Sequence, residues 1–394
     1  MNTCSAINED FFAFVAKHKG EDPFKLRLKF NPQAGDAIDL AITHLQCLQK
    51  AGKKFIDVTG KSVAPEVLLS PLSIEQASSA EIAAFHASLV PEGGVVLDMT
   101  CGLGIDTLAF ATMRGCSVTT CEMNPLHADA AEYNFRSYPY ISVIKGDGTV
   151  FLAETDSRFD VIFIDPARRD SCGGRVYNIH DCTPDVAEIM SAMKSKADKI
   201  VIKLSPMLDV TQTVRDLAPT DIYAVQGGGE CKELLAVIDC KCDNCETKIT
   251  IVKDDTRFEF TQMAEAFATP DYGEPEQGDY LYEPCAAAMK AAPFKLLSER
   301  FCMKKLHPNT HLYFSKSPTQ FFPGKEYKVL EIMDFSSSEI KNFAKKYPRM
   351  NVAVRNFFLT ADVLAKRLKV KSGGDLKAFG VTLHNGSRKI IIGK

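Results

Sequence analysis

The sequence predicts an α/β protein: a mostly parallel sheet flanked by helices, with a helical N-terminal region and small α+β modules at the C-terminal end. Three observations carry this. From Gly93 to about Lys253, short apolar runs alternate with helical patterns, as in a parallel sheet built from crossover units. Val95-Val96-Leu97 ends in Asp98 and runs into a turn with Gly102 and Gly104, the form of a buried strand entering a ligand loop. After Pro270–Gln277 (PDYGEPEQ) the pattern changes to short strands and helices rich in lysine.

Residues 1–72 read as helical and irregular. Asn8–His18 sets Phe11, Phe12, Phe14 and Val15 on one face, and Ala37–Ala51 repeats Ile38, Leu40, Ile42, Leu45 and Leu48 at helical spacing. A helix is expected over Ile74–Leu89, with Ser73 as its cap and Gln76 three residues on. Gln76 and Ser78 are candidates to lie over a cofactor. Residues 73–265 form the main α/β domain. Its strands are expected at Val95–Leu97, Ser117–Cys121, Ser142–Ile144, Val161–Ile164 and Lys199–Leu204. Leu234–Asp239 and Thr247–Lys253 follow, joined as a hairpin through the turn at 240–246. Residues 278–323 form a compact segment with a helix over Ala286–Leu297. Residues 325–394 read β-α-β-α-β-β: strands Tyr327–Ile332 and Asn351–Arg355, helices Ser337–Lys346 and Ala361–Leu368, Thr360 as a cap, and a hairpin turning at Asn385-Gly386.

With 394 residues, 45% of them hydrophobic, the chain has material for several ordinary cores. No apolar run approaches the roughly 18 residues of a membrane span, and MNTCSAINEDFF lacks a signal peptide's order. A cytoplasmic protein with no membrane partner is expected. Its 13 cysteines then read as reduced thiols. Cys240, Cys242 and Cys245, with Cys231 upstream, lack the second C-x₂-C pair of a structural zinc site, so no metal is expected. The net charge of −3 conceals an asymmetry: from Ala286 onward 21 Lys/Arg face 7 Asp/Glu, leaving −17 on the preceding residues. An acidic body with a basic C-terminal quarter suits an enzyme with a nucleic-acid-gripping appendage.

The chemistry concentrates at strand ends. The loop reads D-x-x-C-G-x-G, neither the G-x-G-x-x-G of dinucleotide sites nor a phosphate-cradling P-loop. Asp98 stands where a carboxylate can meet the ammonium of an amino-acid ligand, and Asp106 is placed to cap the next helix. Glu122, about 20 residues after the glycine turn, suits the two hydroxyls of a ribose. Asp147, after the third strand, is a further acid. Three acids at successive strand ends suit S-adenosylmethionine (SAM), a nucleoside carrying an amino acid.

Here the sequence resembles the class I SAM-dependent methyltransferases, whose Rossmann-like core has seven strands. Asp98 to Gly104 match their first motif, with Thr100 in place of the first glycine. Glu122 matches the ribose acid and Asp147 the residue near the adenine amino group. The resemblance also assigns Asp106, Met123 and Gly148 to the cofactor. The fourth strand ends in Asp165-Pro166-Ala167-Arg168-Arg169-Asp170, beyond the carboxyl ends of the strands where ligands of open α/β sheets bind. Asp165 can take a hydrogen bond or a proton from the acceptor, Pro166 stiffens the turn, and Arg168 suits a phosphate. The D/N-P-P-aromatic of base-amine methyltransferases is replaced here by Ala167 and Arg168, which speaks against exocyclic-amine chemistry. D-P-x-R resembles uridine C5-methyltransferases, but Ile202–Asp209 has no cysteine nucleophile. Nitrogen or oxygen is the expected acceptor atom, with Lys203 and Asp209 as secondary candidates. His180-Asp181-Cys182 and Glu230-Cys231-Lys232-Glu233 read mainly as loop and rim.

Over nearly the whole chain the sequence resembles class I methyltransferases with a ferredoxin-like segment and a THUMP-like C-terminal domain. The carrying residues are Leu72–Ser79, Asp165–Asp170, Lys203–Asp209, Glu230–Leu234, Tyr282-Glu283-Pro284, Lys305–Asn309 and Arg355-Asn356-Phe357. Phe358 departs from the family's proline. The resemblance implies an RNA substrate, tRNA or rRNA, held through the basic C-terminal region. A methyltransferase of proteins or small molecules, and a non-catalytic RNA-binding protein with a SAM fold, are the alternatives.

Overall fold

Side-chain caps set where the N-terminal helices begin. α1 (Glu9–Lys17) starts at Asn8, whose Oδ1 accepts the Phe11 N–H at 3.2 Å. α2 (Pro23–Phe30) starts at Asp22, and α3 (Ala37–Ala51) at Asp36. Phe11, Phe14, Leu26, Leu40, Ile42 and Leu45 close around one apolar core. α2 was not expected: it leaves Phe24 and Leu28 each 70% exposed, so its sequence shows no single apolar face. The computed structural model describes residues 7–57, 59–168, 179–242 and 245–394, apart from the side chains of Arg168 and Asn342. Arg169 and Asp170 lie outside the described residues.

The expected helix over Ile74–Leu89 is two helices. α4 (Pro71–Gln76) is capped by Ser70, and α5 (Ala80–Ser88) by Ser79; Ala77, at ψ 152°, breaks the run between them. Ser73 lies inside α4 and caps nothing.

The chain divides into two units. The first runs to Leu208 and adds Arg215–Pro219 and Ala236–Asn244. Its α/β core follows the expected alternation: β1 (Val95–Asp98), α6 (Ile105–Arg114), β2 (Ser117–Glu122), α7 (Pro125–Phe135), β3 (Ile141–Lys145), α8 (Gly148–Glu154), β4 (Phe159–Ile164), a short β5 (Ala167–Arg168) and β6 (Cys182–Thr183), α9 (Val186–Lys196) and β7 (Ala197–Leu204). The strands lie in the order β7-β4-β1-β2-β3, all parallel. Val96, Leu97, Val161, Ile162, Ile164, Ile200 and Ile202 are buried, as expected where helices cover both faces. Separately, β5 and β6 pair antiparallel, Ala167 opposite Thr183 and Arg168 opposite Cys182.

After α10 (Val210–Leu217) comes β8 (Asp221–Gly227), a strand the sequence reading did not foresee, then β9 (Glu230–Asp239), β10 (Lys248–Lys253) and β11 (Thr256–Thr261). The expected hairpin between Leu234–Asp239 and Thr247–Lys253 does not form. β10 pairs parallel with β8 and takes β11 as its antiparallel partner. β8 and β11 are thus two strands beyond the seven expected.

The second unit continues with α11 (Gln262–Phe267), β12 (Asp271–Tyr272), β13 (Tyr280–Pro284), α12 (Ala286–Ala291), α13 (Phe294–Arg300), β14 (Lys304–His307), β15 (Thr310–Ser315), β16 (Gly324–Asp334), α14 (Ser337–Lys346), β17 (Asn351–Arg355), α15 (Ala361–Leu368), β18 (Lys377–Thr382) and β19 (Arg388–Gly393). The last eight strands form one sheet, ordered β12-β14-β15-β13-β16-β19-β18-β17. Ala292, at φ +62°, and Pro293 split the helix expected over Ala286–Leu297 into α12 and α13. The β-α-β-α-β-β order after Gly324 is as expected, as is the cap Thr360 on α15; α14 starts at Ser336, a cap not singled out from the sequence.

Nine of the described cysteines are free thiols, six of them buried. Cys242 and Cys245 correct the expectation of reduced thiols throughout: both are disulfide-bonded and so offer no thiolate to a metal. Among the described residues no helix is long and apolar enough to cross a membrane.

Candidate cofactor and acceptor site

The loop after β1 is built by hydrogen bonds from the residues around it. Asp98 is 1% exposed; one carboxyl oxygen accepts the Thr100 N–H at 3.0 Å and the other the Thr107 hydroxyl at 2.5 Å. Burial pushes this carboxyl up to about 7, against the pull of those two bonds. Placed so, Asp98 organises the loop from behind more than it faces a ligand.

The two glycines differ in what requires them. Gly102 is exposed at φ +56°, and a Cβ there would meet nothing within 4 Å. Gly104, at φ +73°, packs so closely that a Cβ would lie 2.2 Å from the Phe135 ring. Gly104 is also the cap position of α6 and supplies no side-chain hydrogen bond. The expectation that Asp106 caps α6 is thereby corrected. Asp106 lies one residue inside the helix, and its carboxylate turns away to Ser78 Oγ at 2.9 Å and His86 Nδ1 at 2.8 Å.

Two acids stand at the neighbouring strand ends. Glu122 closes β2, half-buried, and accepts the N–H groups of Gly102 at 3.0 Å and Asn124 at 2.8 Å. It therefore ties the glycine loop to the end of its own strand. The adjacent Met123 is 68% exposed. Asp147 is exposed and caps α8, accepting the Thr149 N–H and hydroxyl, each at 2.8 Å. Gly148 is required for packing, because a Cβ there would come 2.6 Å from the Met99 carbonyl oxygen.

At the end of β4, the Asp165 N–H donates to the Thr100 hydroxyl at 2.7 Å. The one departure from the glycine pattern in the loop thus anchors the D-P-A-R turn, a role glycine cannot fill. The Asp165 carboxylate, 40% exposed, pairs with Lys203 Nζ at 2.7 Å, and Lys203 also donates to Ser78 Oγ at 3.4 Å. Pro166 is buried beside it. His180 pairs with Asp185 at 3.1 Å in the segment leading to β6, the partner of Ala167–Arg168.

The structure therefore joins Thr100 to Asp165 and Gly102 to Glu122 by direct bonds, and places Asp147 two residues past the end of β3. Gln76 is exposed at the end of α4, while Ser78 is buried and drawn into the Asp106–Lys203 network. His86, not singled out from sequence, is fully buried in that network. Its only sequence signal is a histidine on an alanine-rich helix.

Residues 280–323 match a ferredoxin-like domain and residues 324–394 a THUMP domain-like family. The chain is similar over 98% of its length, and over 98% of the other's, to a "putative methyltransferase" from Porphyromonas gingivalis W83, at 29% identity and a TM-score of 0.86. Weaker likenesses include a SAM-dependent methyltransferase from Neisseria gonorrhoeae, at 19% identity over 41% of this chain and 66% of that one, TM-score 0.31. No curated protein matches. The chain is a methyltransferase-fold protein that ends in a ferredoxin-like domain followed by a THUMP-like domain.

Proposed function

We propose that this protein is a SAM-dependent methyltransferase that modifies a nitrogen or oxygen atom of structured RNA, tRNA or rRNA, in the cytoplasm. The observation that carries the reading is the 2.7 Å bond from the Asp165 N–H to the Thr100 hydroxyl. It locks the D-P-A-R turn to a loop whose Gly102 is open and whose rim is the Glu122 carboxylate. These residues fit SAM: bare backbone at Gly102, an acid for the ribose at Glu122, an exposed acid at Asp147 for the adenine edge, and the apolar Met123 beside them. Bound there, SAM supplies an electrophilic methyl group.

The chain's own part is positioning and proton handling. Asp165 receives the hydrogen bond of an acceptor N–H or O–H and takes its proton. Pro166 holds the turn. Arg168 is proposed, from its place in the motif, to meet a phosphate. Asp98, Thr100 and Gly104 set the loop. The basic C-terminal residues grip the RNA backbone, and the THUMP domain-like match at 324–394 supports RNA as the partner.

The test is incubation of the purified full chain with methyl-labelled SAM and total RNA from cells lacking its gene. Label in one RNA size class supports the reading. Label in protein or metabolites alone redirects it to those substrates, and SAM binding without transfer to anything would leave a non-catalytic RNA-binding protein.

A further inference from the structure

Behind Asp165 lies a connected line of charged and polar side chains that no part of the cofactor site requires. From the mouth inward, Asp165 pairs with Lys203 at 2.7 Å, Lys203 donates to Ser78 at 3.4 Å, Ser78 donates to Asp106 at 2.9 Å, and Asp106 pairs with His86 at 2.8 Å. Four places in the fold converge to make it: the end of β7, the link between α4 and α5, the first turn of α6, and α5. Its two ends differ in side-chain exposure, 40% at Asp165 and 0% at His86, with Lys203 at 12% and Asp106 at 15% between them.

Burying the Asp106 carboxylate, an ammonium and an imidazole is costly, and apolar side chains of the same volume would stabilise this core at least as well. The group that opens to solvent is Asp165. Burial works to raise the Asp106 carboxyl, but the charge and hydrogen bond of His86, with Lys203 and Ser78, outweigh it and hold it below the usual carboxylate range. Asp106 is thus an anion that anchors Ser78, and through it Lys203. The backbone of Asp165 is held independently by Thr100.

We propose that Lys203, Ser78, Asp106 and His86 are positioning residues, a single relay that fixes the direction of the Asp165 carboxylate toward the acceptor. The inference rests on the methyltransferase reading. It also removes Asp106 from the cofactor ligands and moves it to the acceptor side. A carboxylate clamped by an ammonium is a directed hydrogen-bond acceptor, so the relay selects a substrate atom that carries a proton, N–H or O–H.

The test compares full-length wild type, Lys203→Met, Lys203→Arg, Ser78→Ala, Asp165→Asn and the Lys203→Met/Asp165→Asn double variant. Affinity for S-adenosylhomocysteine is read by calorimetry. Methyl transfer to total RNA from gene-deleted cells is read as kcat and KM separately. Lys203→Met is expected to bind S-adenosylhomocysteine as wild type does and to lose roughly 100-fold in kcat, the scale of a misdirected catalytic group. Lys203→Arg recovers part of that loss, and the double variant is no slower than Asp165→Asn alone. Ser78→Ala, the mildest change, lowers kcat without weakening cofactor binding, which keeps the test open should Lys203→Met fold poorly. Multiplying losses in the double variant, or an unchanged kcat in Lys203→Met and Ser78→Ala, overturns the relay while leaving the methyltransferase reading intact. A wild type that binds no S-adenosylhomocysteine, or transfers no methyl to RNA, overturns that reading and the relay with it.

Discussion

Substituting alanine at the two loop glycines separates ligand space from packing. Both positions have left-handed backbone, φ +56° at Gly102 and +73° at Gly104, so alanine costs about 1–2 kcal/mol of strain at either. At Gly102 that is the whole cost, because the new methyl meets nothing within 4 Å. At Gly104 the methyl would lie 2.2 Å from Phe135 Cζ, far inside contact distance. Overpacking adds about 1–3 kcal/mol, for a total of about 2–5 kcal/mol against a typical stability of 5–15. Urea unfolding should therefore rank Gly104→Ala well below Gly102→Ala. Calorimetry with S-adenosylhomocysteine should show Gly102→Ala at least about tenfold weaker than wild type, a loss of about 1.4 kcal/mol. Gly102→Asn, which tolerates left-handed backbone, should lose affinity too, showing that filled space and not strain is responsible. Wild-type affinity in both Gly102 variants would refute the assignment of this loop to the cofactor. Equal stability losses at the two glycines would refute the packing argument.

Asp98 carries a pH signature. Burial raises its carboxyl to about 7, so the folded chain binds that proton more tightly than the unfolded chain, where the value is about 3.9. Its stabilising contribution is complete below about pH 4 and is lost as pH rises through 7. Asp98→Asn should flatten stability across that window in urea titrations at pH 5 and 8, and an unchanged difference between the two would reject the buried-acid account. In α14, Lys341 and Lys345 are exposed, and changing both to Gln should weaken RNA binding for all sequences. The slope of log affinity against log salt should fall by about 1.4–1.8, and an unchanged slope would place the RNA elsewhere.

The parallel sheet was legible because its strands are local patterns: each apolar run ends at a turn or an acid, and the structure extends them by a residue or two. The positions of the loop acids were legible for the same reason, since Glu122 closes β2 and Asp147 follows β3 by two residues. Pairing was not. The partners of β10 are β8 and β11, and nothing in Leu234–Asp239 tells the reader that it does not fold back on Lys248–Lys253. The split between α4 and α5 escaped because Ser79 restarts helix geometry in a run that is alanine-rich throughout. The relay was invisible for a spatial reason. Asp106 meets His86 from 20 positions away and Lys203 reaches Asp165 across 38, and neither separation has a period to read. Asp106 was assigned to a helix cap from its position, whereas its side chain is claimed by a tertiary contact.

The measurement that tests the central claim most directly is nucleoside-resolved mass mapping of tRNA and rRNA from wild-type cells, cells lacking this gene, and cells carrying Asp165→Ala. The account predicts that one methylated nucleoside, modified at nitrogen or oxygen, disappears in both altered strains and returns with the wild-type gene. A complete set of methyl marks in both strains would contradict it.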